Sequence, residues 1–316
     1  MRVAIVGYGK LGRAVELLIR GRSEFELAGI FSRRWQEYEN PYILPQEALF
    51  DFDSIDCAML CLGSSGDMVE FAPKIARKFN TVDTYDNHAR IREYYGIMNE
   101  NANKTCHSSL ISSGWDPGFL SAVRCYAHSF LQKPYVNTVW GRGVSQGHSE
   151  VLRTIRGVQR ALAITVPNSA VTSTLLHNRI FTTCEELHTR LCVIVADKPD
   201  REYIVNVIKG YPDYFAPYRC DIRFVSDEEF DSEYAQLSSH CGQIIASGVS
   251  GVYEENYSRI YASIECDSNP QLTAGILLAS ALAVCRLNKE KRYGAFTPLD
   301  VPPSYFLYGK DCFDFL

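Results

Sequence analysis

Residues 3–12 read VAIVGYGKLG, an apolar run closed by three spaced glycines, and few folds accept that combination. Val3, Ala4, Ile5 and Val6 have the composition of a strand, and Leu11, Val15, Leu18 and Ile19 recur at helical spacing directly after it. G-x-G-x-x-G is a weak pattern alone, but between a strand and a helix it is the fingerprint of a dinucleotide-binding turn. Gly7 permits the tight turn, Gly9 lets the backbone approach a pyrophosphate with no Cβ in the way, and Gly12 lets the helix pack on the strand. Together with Tyr8, Lys10 and Leu11 they form the expected phosphate cradle at the positive end of the helix.

The same strand-then-helix rhythm continues. Strands are expected at residues 27–31, 58–62, 81–84 and 105–111, with helices at 67–79 and 90–103, which predicts an α/β fold with a Rossmann-type, doubly wound parallel sheet. After Pro117-Gly118 the pattern changes. A helix over 119–131 precedes extended segments at 137–140, 190–195, 220–224 and 257–265, which predicts a second, mixed α/β domain. Gly141, Gly143 and Gly147 open no apolar helix and read as a loop. Asn269-Pro270 punctuates the chain, and an alanine-rich helix follows over 272–287.

Ligands of such sheets lie beyond the carboxyl ends of the strands, so the residues there are the candidates. The second strand ends in Ser32-Arg33-Arg34, where an NAD enzyme would carry a carboxylate for the ribose hydroxyls. Guanidinium matches a 2′-phosphate in charge and bidentate geometry, so NADP(H) is the expected cofactor. Three further strand ends are polar: Gly63-Ser64-Ser65, Tyr85-Asp86-Asn87-His88, and the run Ser112-Ser113-Gly114-Trp115-Asp116-Pro117-Gly118. Asp86 and Asp116, carboxylates at consecutive strand ends, suit a cationic group such as an amine.

Composition narrows the alternatives. Thirty-two basic against 37 acidic residues give a net charge of -5, with no basic field for nucleic acid. The eleven cysteines form no C-x-x-C pair and no Cys/His cluster of ligand spacing, so free thiols in a reducing cytoplasm are expected and no metal site is. The chain enters a strand pattern at Val3, so no leader is expected. Its longest apolar stretch, 276–285, is too short to span a bilayer.

The sequence resembles the meso-diaminopimelate dehydrogenase family nearly end to end. The resemblance is carried by VAIVGYGKLG (3–12), GIFSRR (29–34), TVDTYDNH (81–88), SGWDPG (113–118), WGRGVSQGHS (140–149), HTRLCVIVAD (188–197), PDYF (212–215) and GAFT (294–297). It implies a homodimeric enzyme that reversibly deaminates the D-centre of meso-2,6-diaminopimelate with NADP+, giving L-2-amino-6-oxopimelate and ammonia. It implies that the cofactor also meets Gly63, Ser64, Ser65, Tyr85, Asp86, Asn87, Trp115, Asp116, Pro117 and Gly118. Asp86, Asp116 and Trp115 would surround the D-amino acid end, with Trp140, Gln146 and Gly147 lining the pocket. Thr165, Arg190, His240 and Asn269 would hold the distal L-amino acid end. The implied domains are 1–117 with 270–316, for the dinucleotide, and 118–269, for substrate and dimerisation. The chain departs from the family at His240-Cys241-Gly242-Gln243, where His-Gly-Gly-His is usual.

Hydride can leave the D-centre carbon only if the neighbouring amine is neutral, so that its lone pair forms an iminium as the C–H bond breaks. Water then attacks the iminium, with Asp86, Asp116 or His148 as candidate general base. Two rivals remain on sequence grounds: another NADP-dependent oxidoreductase acting on a D-amino acid or aldehyde, and a non-catalytic NADP(H)-sensing regulator. The first loses ground because the chain has no Glu-Lys-Pro and no His-His-x-x-x-Lys; the second because a sensor needs no acidic, amine-sized pocket.

Overall fold

The structure is a computed structural model that describes the chain apart from Pro41, Ser65, Asp213 and His240. It divides into two units, Met1–Phe119 with Asn269–Leu316, and Leu120–Ser268.

In the first unit, β1 (Arg2–Val6), β2 (Glu26–Ser32), β3 (Ile43–Pro45), β4 (Cys57–Leu60), β5 (Asn80–Asp83), β6 (Ser108–Leu110) and the late β14 (Gly294–Phe296) form one parallel sheet. Its order is β14-β6-β5-β4-β1-β2-β3. Side chains alternate across a strand, so β1 feeds two cores. Val3 and Ile5 pack under α1 (Lys10–Arg20) and α10 (Asn269–Lys289), whereas Ala4 and Val6 face α2 (Asp67–Ala76) and α3 (Ile91–Asn103). The chain leaves β1 for β2 on one side and later adds β4 on the other. This is the switch point at which doubly wound sheets open a ligand crevice.

Helix α10 runs well beyond the apolar stretch at 276–285 and, at 21 residues, is long and apolar enough to cross a membrane. Here it is a core helix: Ala274, Leu277, Leu278, Ala281, Val284 and Leu287 are wholly buried in the first unit.

The second unit holds two sheets. Antiparallel β7 (Gln132–Trp140), β12 (Gly242–Ser250) and β13 (Asn256–Ile264) form one, in the order β13-β12-β7. The other is mixed, β11-β10-β9-β8, built from β8 (Gly143–Ser145), β9 (Arg160–Pro167), β10 (His188–Val195) and β11 (Arg219–Phe224). Its helices are α4 (Phe119–Phe130), α5 (Gln146–Thr154), α6 (Ser169–His177), α7 (Cys184–Leu187), α8 (Arg201–Gly210) and α9 (Asp227–Glu229). Alternation again makes two cores. Ala161, Ala163, Cys192 and Ile194 pack with α5 and α8, and Ile164, Leu191 and Val193 pack with Phe230 and Tyr234.

The glycine cluster at 141–147 is not the expected loop. Gly143 lies in β8 and Gly147 in the first turn of α5, a helix that buries only Ser149, Val151 and Leu152 and so lacks a sequence-visible apolar stripe. The strand expected at 105–111 begins only at Ser108, because Cys106 takes a left-handed turn (φ 59°).

Candidate active site

The dinucleotide turn has the geometry its glycines require. Gly7 has φ +94° and donates its N–H to the Phe31 carbonyl at 2.7 Å; a Cβ there would lie 2.5 Å from the Cys61 carbonyl oxygen. A Cβ on Gly12 would collide with the Gly7 carbonyl. Gly9 is different: a Cβ would meet no protein atom within 4 Å, so packing does not demand the glycine. It precedes α1, whose N-terminus carries no side-chain cap and no acidic residue in its first turn. Open space in front of uncapped N–H groups is what a pyrophosphate needs, and the residues present fit it. Tyr8 is held edge-on to Tyr38 at 5.2 Å and hydrogen-bonds Glu16; burial, then Glu16, push its phenol up to about 12. Lys10 and Leu11 open α1.

At the end of β2, Ser32 is buried and its hydroxyl accepts the Arg34 N–H at 3.2 Å. Arg33 donates to Asp67 at 2.6 Å, and Arg34 lies 3.6 Å from Glu37. Both guanidiniums stay more than half exposed, 58% and 60%, so these surface pairs are weak and leave donors for a phosphate.

Three loops follow β4, β5 and β6. The Gly63 carbonyl accepts the Met68 N–H at 3.2 Å, and the Ser64 hydroxyl accepts the Asp86 N–H at 3.2 Å. Tyr85 is buried and stacks on Tyr94 with centroids 4.1 Å apart, while the Asn87 carbonyl accepts the Arg90 N–H. Asp86 is reached by solvent, yet the protein packed around it raises its carboxyl above the ordinary range, with Ser64 pulling the other way. The segment after β6 closes on itself: Gly114 N–H donates to the Pro117 carbonyl (2.9 Å) and Phe119 N–H to the Gly114 carbonyl (3.2 Å). Gly118 has φ +134°, where a Cβ would strike the Gly114 carbonyl, and the Asp116-Pro117 peptide is cis. Within this turn Trp115 is buried and donates its Nε1–H to Asn269 Oδ1 at 2.8 Å, which also accepts from Thr273 at 3.0 Å.

In the second unit β9 and β10 pair Thr165 with Arg190. Arg190 is only 2% exposed, donates Nη1–H to the Thr165 hydroxyl, and lies over the rings of Tyr218 (4.3 Å) and Trp140 (5.6 Å). Its Nε has no hydrogen-bond partner, and no described residue forms an ion pair with it. A guanidinium out of water is costly unless an anion meets it. Burial raises the Tyr218 phenol, against the pull of Arg190. The Trp140 backbone is fixed from behind: its main-chain N–H donates to His188 Nε2 at 2.8 Å, which leaves Nδ1–H to donate to the Cys184 carbonyl at 2.9 Å. Gln146 and Gly147 open α5, and His148 one residue later bonds Ser145 at 2.9 Å with Tyr214 and Phe215 edge-on to its ring.

With this geometry in place, the comparisons with known proteins are specific. The family described as the diaminopimelic acid dehydrogenase C-terminal domain matches residues 114–268. The meso-diaminopimelate D-dehydrogenase of Corynebacterium glutamicum is 40% identical over 305 residues, covering 96% of this chain and 94% of that one. The chain belongs to the meso-diaminopimelate D-dehydrogenase family. A second relative in that family, from Acetivibrio thermocellus, is 39% identical over 96% of this chain and 93% of its own. The C. glutamicum diaminopimelate dehydrogenase solved in complex with diaminopimelate superimposes with a TM-score of 0.93 at 38% identity, covering 99% and 97% of the two chains. An engineered D-amino acid dehydrogenase bound to NADP+ gives 0.92 at 37% identity, covering 99% and 98%.

The structure gathers Thr165, Arg190 and Trp140 into one cluster, and Trp115 with Asn269 into another. Asn269 belongs to the first unit, where its side chain accepts from Trp115. Ser65 and His240 lie outside the described residues. Sequence reasoning passed over Tyr218, His188, Tyr94 and Asp83. The last sits inside TVDTYDNH at a strand end, but its sequence position alone does not reveal its bonding.

Proposed function

We propose that this chain catalyses the reversible NADP-dependent oxidative deamination of the D-centre of meso-2,6-diaminopimelate to L-2-amino-6-oxopimelate and ammonia. The observation that carries the reading is Arg190, a buried guanidinium resting on Thr165, Trp140 and Tyr218 with no acid from the described residues. A substrate with a carboxylate and an ammonium at each of two ends needs a fixed cation at one end and carboxylates at the other. Arg190 and Thr165 take the distal carboxylate; Asp86 and Asp116 orient the reacting amine.

Gly7, Gly9 and Gly12, with Tyr8, Lys10 and Leu11, hold the pyrophosphate, and Ser32, Arg33 and Arg34 take the 2′-phosphate. Gly63 to Ser65, Tyr85 to Asn87 and Trp115 to Gly118 border the nicotinamide half. When bound, NADP+ supplies the hydride acceptor. The reacting ammonium first gives up a proton to solvent, so that the neutral amine's lone pair makes the iminium as the C–H bond breaks. A carboxylate then takes a proton from the attacking water and returns it to the nitrogen of the carbinolamine, whose C–N bond breaks to release ammonia as the hydroxyl proton leaves and the carbonyl forms. Asp86, Asp116 and His148 are the candidate bases for that proton.

The first unit serves as dinucleotide domain and the second as substrate and dimerisation domain of a cytoplasmic homodimer. Tyr126 and Phe130 on α4, stacked at 5.3 Å and 50% and 67% exposed, are the apolar surface such a dimer would cover. Turnover tests the function: the purified protein with meso-diaminopimelate and NADP+ should release NADPH and ammonia in equal amounts. NADP+ binding without turnover would make it a sensor instead.

A further inference from the structure

At the end of β5, Asp83 is completely buried, yet it belongs to no cofactor or substrate contact set out above. Its Oδ1 accepts two backbone N–H groups, from Tyr85 at 3.0 Å and from Ser112 at 2.9 Å, and its Oδ2 accepts the Tyr94 phenol at 2.8 Å. Its backbone carbonyl takes the Ser113 N–H at 2.8 Å, and the Ser113 hydroxyl meets that of Ser280 at 3.0 Å. One side chain thus ties the start of the Tyr85-Asp86-Asn87 loop to the start of the 112–118 loop. Ser112 takes a left-handed backbone (φ 55°), unusual for a residue with a Cβ, and its own hydroxyl is buried without a partner, so the hydroxyl does not hold it there. The Ser112 and Ser113 N–H groups are both bound to Asp83.

We infer that Asp83 is a positioning residue for the reaction: it clips the β5 and β6 loops into one piece and thereby sets the separation of Asp86 and Asp116 on the reacting amine. This rests on the reading that those two carboxylates serve the amine. The clip works by hydrogen-bond acceptance rather than by charge. Three donors converge on a group that burial disfavours as an anion, pushing its carboxyl up to about 6 even against their pull. Asparagine in its place would keep the function, because an amide Oδ1 can accept both N–H groups while Nδ2 donates to the Tyr94 oxygen.

Asp83→Ala should lower kcat by ~30-fold, because small displacements of catalytic groups are costly. Affinity for 2′,5′-ADP, which occupies the glycine turn and the Ser32–Arg34 region, should stay within about three-fold, since those residues hang from β1 and β2. Asp83→Asn should return kcat to within about three-fold of the parent. Wild-type kcat in the alanine variant, an equal loss of 2′,5′-ADP affinity, or no recovery with asparagine would each overturn the proposal. Residue-resolved amide exchange on the unsubstituted protein tests it without any variant. Tyr85 and Ser112 N–H should exchange as slowly as strand amides, and exchange at loop rates would overturn the clip. If the unsubstituted protein does not turn over meso-diaminopimelate, the functional reading fails, while the exchange result still judges the clip.

Discussion

At the scale of single residues, chemistry concentrates where polar groups are buried against their ordinary preference. Arg190 is the clearest case, and Arg190→Ala should raise the KM for meso-diaminopimelate by ~10- to 100-fold, the worth of a charge-assisted hydrogen bond, with a smaller change in kcat. Steady-state kinetics checks this, and an unchanged KM would remove Arg190 from the distal anchor. Asp116→Ala should abolish most deamination while NADP+ affinity, read by fluorescence titration, stays nearly intact. Asp83 yields a pH signature. Its folded-state value, about 6, lies above the ordinary carboxyl value near 3.9, so its contribution to stability is fully present below the lower value and is lost as pH rises through the higher. The stability of the parent relative to Asp83→Asn should therefore fall by up to ~3 kcal/mol between about pH 4 and pH 7, measured by urea unfolding at both. An equal difference at both pH values would contradict the shift.

At the scale of elements, the glycine turn separates packing from ligand binding. Gly12→Ala puts a Cβ into the Gly7 carbonyl and should lower the melting temperature by several degrees even without cofactor. Gly9→Ala points a methyl group into open space: apo stability should hold and NADP+ affinity should drop. Calorimetry with and without NADP+ distinguishes the two, and matching destabilisation would refute the division. This turn was legible in the sequence because its glycines stand between a four-residue apolar strand and a strong helical stripe. The β8–α5 segment was not, because a three-residue strand leaves no periodicity and α5 buries too few residues to show one. Asp83 was hidden for another reason. Its partners Tyr85, Tyr94 and Ser112 lie 2, 11 and 29 positions away; the fold of α3 brings Tyr94 to it, and the parallel pairing of β5 with β6 brings Ser112.

At the scale of the whole molecule, one chain carries two compact units. Light scattering should give twice the 35.7 kDa of the chain, and Tyr126→Glu with Phe130→Glu should move it toward the single-chain mass if α4 is the covered surface. With meso-diaminopimelate carrying deuterium only at the D-centre carbon, mass spectrometry of the NADPH formed should find the label transferred intact, and substrate labelled only at the L-centre should yield unlabelled NADPH. Label lost to water, or transferred from the L-centre, would contradict hydride removal from the D-centre.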